Sequence, residues 1–93
     1  MYSLKLTAHT TNPTILSSLA WNAVRDALTR IGRVELIAYI ESVKVTDKRI
    51  TIKTNKPLVN SELSHHKEAI RTRTEEAFQT FGVPKTERRI VFL

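Results

Sequence analysis

Cysteine is absent from this 93-residue chain, and with it go disulfide frameworks, thiolate zinc sites, iron–sulfur ligation and thiol nucleophiles. Glycine is nearly absent too. Gly32 and Gly82 are the only two, and neither opens a helix after a strand, so a phosphate-cradling loop and nucleotide hydrolysis are not expected. No apolar run approaches the roughly 20 residues that span a bilayer. The start Met1-Tyr2-Ser3-Leu4-Lys5-Leu6 lacks the apolar stretch of a secretion signal. These absences lead to the expectation of a cytoplasmic protein with no membrane partner.

The histidines are His9, His65 and His66. Adjacent helical residues point about 100° apart, and no third ligand follows at a workable spacing, so no metal or other cofactor is expected. No serine or threonine lies in a recognisable elbow beside a candidate base. The expectation is a chain that is not an enzyme and has no small-molecule substrate.

What is present fits a folded domain. Hydrophobic residues make up 41% and charged residues 26%, near the averages of soluble globular proteins, and the length suits a single domain over 1–93. Fifteen Lys and Arg against nine Asp and Glu give a net charge of +6. Such a balance raises the local concentration of polyanions, although solubility alone would also account for it.

Asn12-Pro13 reads as a helix N-cap with proline at the first helical position. Leu16, Ala20, Ala23, Val24, Ala27, Leu28 and Ile31 recur at steps of three and four, and Gly32 supplies a left-handed closing residue. The first helix is placed at about 13–31. Beyond a short link, Tyr39, Val43 and Val45 alternate with Ile40, Ser42 and Lys44, and Ile50 and Ile52 alternate with Arg49, Thr51 and Lys53. Period-two alternation predicts two strands, joined at Thr46-Asp47-Lys48 as a hairpin.

Asn55 or Lys56 before Pro57 signals a second helix, which the stripe Leu63, His66, Ile70, Thr74, Ala77, Phe78 and Phe81 carries to about 81, where Gly82-Val83-Pro84 ends it. Arg88-Arg89-Ile90-Val91-Phe92-Leu93 reads as a closing strand, central and buried on both faces. Residues 1–11 form either an edge strand, from the alternation of Tyr2, Leu4, Leu6 and Ala8, or a loose arm. The order helix-strand-strand-helix-strand specifies an α+β two-layer sandwich.

With Ile50 and Ile52 turned toward the helices, Arg49, Thr51, Lys53 and Asn55 project from the other side, joined by Ser42 and Lys44. This polar, basic face is free of aromatics, so phosphate contact without base reading is the expected mode, with a solvated outer face as the alternative. On the second helix Lys67 falls about 40° from Leu63, inside the apolar edge, where its stem must snorkel. Arg71 follows one turn later, forming a cationic clamp with Lys67 or an ion pair with Glu75. Lys44, Arg49, Lys53, Lys67 and Arg71 are the candidate nucleic-acid contacts. Trp21, at the edge of the first helix's stripe, is a core anchor or a contact for a partner protein.

Leu19-Ala20-Trp21-Asn22-Ala23-Val24 resembles the Trp-containing first-helix motif of the DciA-type bacterial helicase operators, and Glu62-Leu63-Ser64-His65-His66-Lys67 resembles their second-helix motif. The resemblance covers residues 13–93, with Val59 standing where the family usually has tryptophan. It implies a fold similar to the type II K-homology domain, association with the replicative helicase or another replication protein, and binding of single-stranded or duplex DNA. A partner surface would then lie around Val59, Glu62, His66 and Lys67, with Trp21. The chain lacks a Gly-x-x-Gly loop, so RNA clamping of the K-homology kind is not implied.

Overall fold

The computed structural model describes residues 12–93; the edge strand expected near the N-terminus lies outside them. Helix α1 spans Pro13–Arg30, and the Asn12 side chain accepts the Thr14 N–H at 2.8 Å, as the Asn-Pro signal requires. Its buried stripe is Leu16, Ala20, Ala23, Val24, Ala27 and Leu28. Ile31 is not part of it. The helix has already ended there, Gly32 takes φ +76°, and the Arg33 N–H reaches back to the Leu28 carbonyl at 2.8 Å, leaving Ile31 38% exposed.

A 3-10 helix over Val34–Tyr39 replaces the expected link, and Tyr39 belongs to it rather than to a strand. Leu36 and Ile40 anchor this segment by burial, and Tyr39 between them is exposed. Strand β1 (Ser42–Val45) pairs antiparallel with β2 (Arg49–Lys53). The hairpin lacks a glycine at its turn. The Thr46 N–H closes the turn on the Arg49 carbonyl at 2.8 Å, and the Thr46 hydroxyl supports it by accepting the N–H groups of Lys48 at 3.3 Å and Arg49 at 3.1 Å.

The sequence places one helix over 57–81, but the chain forms two. Helix α2 covers Pro57–His65, α3 covers Lys67–Phe81, and His66 between them has φ −106° and ψ 16°. Leu63 and Ile70 are both buried and seven residues apart, a spacing that a straight and a broken helix satisfy alike. Ser64, His65 and His66 are weak helix formers. The bend is therefore set by what each piece packs on: α2 against the 3-10 helix and the last strand, α3 against α1. Helix α2 starts without a side-chain cap from Lys56; the buried Thr54 hydroxyl accepts the Lys56 N–H at 3.1 Å instead.

Strand β3 (Arg89–Phe92) pairs parallel with β2, in the order β1-β2-β3. A parallel pair needs a crossover connection, which α2 and α3 supply. The expectation of a central strand buried on both faces is corrected: among the described residues β3 has only β2 beside it, and Val91 is half-exposed. Helices cover one side of the sheet, so an apolar residue on the other side meets water whatever its neighbours in sequence. The core joins Leu16, Val24 and Leu28 of α1 to Val43, Val45, Ile50, Ile52 and Ile90 of the sheet and to Leu63, Ile70 and Phe78. Phe81, placed by the sequence on the apolar stripe, is 40% exposed at the end of α3.

Candidate nucleic-acid interface

Alternation fixes the uncovered face of the sheet. Val43, Val45, Ile50, Ile52 and Ile90 are buried toward the helices, so Ser42 and Lys44 of β1, Arg49, Thr51 and Lys53 of β2, and Arg89 and Val91 of β3 lie on the opposite side. The register then sets their neighbours. Lys44 stands opposite Thr51, which puts it diagonal to both Arg49 and Lys53, while Arg49 and Arg89 are directly paired. Lys44, Arg49, Lys53 and Arg89 are all exposed.

No acidic residue lies on these strands, and none of the ion pairs among the described residues involves the four cations. Five acids are engaged in the other layer. Asp26 meets Arg30 and Arg73, Glu62 meets Arg33 at 3.1 Å, and Glu35, Glu68 and Glu76 each pair with an arginine on or beside the helices. The Arg73 hydrogen bond, reinforced by Arg30, holds the Asp26 carboxyl below the usual carboxylate range, and Asp26 in turn raises Arg73. Of the acids flanking the strands, Glu41 accepts the Asn55 amide at 3.1 Å, Asp47 sits in the hairpin turn, and Glu87 is exposed two residues before Arg89. Asn55 itself has left the sheet, with φ +59°. The ion pairs among the described residues thus lie around the helices, while the strands themselves carry cations alone.

The five cations selected from sequence do not form one cluster. Lys44, Arg49 and Lys53 share the sheet face, whereas Lys67 and Arg71 belong to α3 in the helical layer. Arg71 does not pair with Glu75. Its Nη1 donates to the Arg88 carbonyl at 3.2 Å, and its Nε lies 3.7 Å from Glu68. Arg88 is held in turn, its Nε donating to the Thr46 carbonyl at 2.8 Å and its guanidinium lying 5.3 Å from the Phe78 ring centre. This chain of contacts ties α3 to β3 and the hairpin turn. Lys67 opens α3 and is half-buried, as a snorkelling lysine should be. Arg89 was missed; continuing the alternation back from Ile90 would have put it on the basic face, but only the β2–β3 register reveals Arg49 as its neighbour.

Val59 packs half-buried against the core, and Glu62 bridges Arg33 and His66, whose Nε2 is 3.9 Å away. Beside them Leu58 is 85% exposed, the most exposed of the large hydrophobic side chains among the described residues. Trp21 lies apart from this group, half-buried on α1, where it packs on the core, borders a groove against β1 and carries Arg25 at 5.6 Å from its ring centre. Among the described residues no group of three or more His, Asp or Glu is placed to hold a metal ion, and no helix is long and apolar enough to cross a membrane. No family model matches the chain, and no curated protein and no solved structure matches it either.

Proposed function

We propose that this chain is a non-enzymatic module that binds the phosphate backbone of DNA through the outer face of its sheet. The observation that carries the reading is the cationic face without carboxylates, where Arg49 and Arg89 stand side by side. Like charges directly opposite one another destabilise a sheet, so their juxtaposition has a physical rationale if an anion occupies the face. Lys44 and Lys53 continue the positive strip along β1 and β2. Thr51 and Val91 between them offer no ring for stacking, which supports contact with phosphates rather than reading of bases there.

The resemblance to the DciA-type helicase operators adds the context of an intracellular replication protein with a fold of the type II K-homology kind. A protein partner, the replicative helicase or another replication protein, would dock at α2. The exposure of Leu58 beside Val59, Glu62, His66 and Lys67 favours that second surface.

Filter binding to a DNA oligonucleotide across a salt series tests the reading. Four neutralised phosphates give a slope of log K against log salt of about −3 to −4. Reversing Lys53 and Arg89 together to glutamate should abolish binding of every sequence alike. Absence of a complex at micromolar protein and low salt would overturn the proposal and leave an interaction module whose charge serves solubility.

A further inference from the structure

A shallow, open groove of about 470 Å³ lies between α1 and β1. We infer that it receives an unpaired base of single-stranded nucleic acid, stacked on Trp21, with the adjoining phosphate on Lys44. The inference rests on the nucleic-acid reading above and deepens it by naming the form of nucleic acid that fits.

Three properties of the groove support this. Its wall carries the chain's single tryptophan, packed on the core along one part and open to the groove along another. Arg25 lies over the ring at 5.6 Å from its centre, outside the groove's lining, and holds the indole from that side. Lys44 borders the groove and also stands on the outer sheet face, so a strand laid along the basic face passes the groove's mouth. The remaining polar side chains are hydroxyls: Ser17 is occupied by the Val45 N–H at 3.1 Å and Thr46 by the N–H groups of Lys48 and Arg49, Ser42 is half-buried, and Thr14 and Ser18 are exposed. Among the described residues no carboxylate lines the groove.

An aromatic platform, hydroxyls for a base edge and a cation for the phosphate are the elements that hold single strands. A base inside a duplex is already stacked and paired, and reaching the groove would require its extrusion. Single strands should therefore use the sheet face and the groove together, whereas a duplex uses the face alone.

Because the chain has one tryptophan, its emission reports on this groove. The experiment titrates the full chain at low salt with a mixed-sequence oligodeoxynucleotide and with the same strand annealed to its complement, following Trp21 fluorescence and filter binding in parallel. Saturable quenching by the single strand, at the concentration where filters retain it, with little change of emission on duplex binding, is the expected result. Trp21→Leu should weaken single-strand binding by roughly fivefold or more and leave duplex binding unchanged. Trp21 also contacts the core, so Ser18→Glu, on the exposed wall, provides a second variant; it should show the same selective loss with an unaltered melting temperature. Single-strand retention on filters without any change in emission, or equal losses for both forms, overturns the inference while leaving the basic face intact. If neither form binds at low salt, both readings fall.

Discussion

Arg49 and Arg89 occupy directly paired positions on β2 and β3, on the uncovered face of the sheet, with no acid between them. Neighbouring strands run about 4.8 Å apart, so the two stems leave the sheet close together and only solvent screening relieves the repulsion. A neutral partner at either position should relieve it as well. Arg89→Gln is expected to leave unfolding free energy unchanged or raise it by up to about 0.5 kcal/mol, while lowering DNA affinity and reducing the salt slope by about 1. Urea unfolding and salt-series binding of the same preparation check both halves.

Asp26 ties α1 to α3 through Arg73, and its carboxyl is held below the ordinary value of 3.8. A carboxyl with a depressed folded-state pKa stabilises the fold above its unfolded value and loses that contribution as pH falls through the folded one. Stability should therefore drop at acid pH, below the ordinary carboxylate range. In Asp26→Asn this component should vanish, with lower stability at neutral pH and a flatter acid limb. Urea midpoints measured from pH 7 down to about pH 3 would show it.

Gly82 closes α3 at φ +86°, and a Cβ placed there would meet no atom within 4 Å. The cost of Gly82→Ala is then conformational alone, about 1–2 kcal/mol for an L-residue in the left-handed region. Thermal unfolding should detect it, and DNA binding, which involves the opposite layer, should be unaffected.

Leu58 and Leu63 lie on the same short helix with opposite environments, one 85% exposed and the other fully buried. Leu63→Ala should cost about 2–5 kcal/mol of stability. Leu58→Asp and Lys67→Ala should each stay within about 1 kcal/mol of the parent, since neither removes a buried side chain. If α2 is the docking surface for a replicative helicase, these two variants should weaken a pull-down with purified helicase while Leu63→Ala acts only through unfolding. Unchanged capture by both surface variants would move the partner site elsewhere.

Local chemistry in the sequence was enough for the ends of α1, the hairpin and the termination of α3. Asn12-Pro13, Gly32 and Gly82 each act within a few residues of themselves, and the alternation of Ile50 and Ile52 with Arg49, Thr51 and Lys53 fixes which side chains share a face before any partner strand is known. Three-stranded pairing decided the rest. That β3 has only β2 beside it among the described residues, that Arg89 neighbours Arg49, and that Lys67 and Arg71 fall in a different layer from Lys44 and Lys53 are all relations between residues distant in the chain. The break at His66 is of the same kind: a seven-residue spacing from Leu63 to Ile70 satisfies one helix or two, and packing on different neighbours selected two. Periodicity reports which way a side chain points within its own element, whereas the register and the layer it enters depend on contacts that only the folded chain makes.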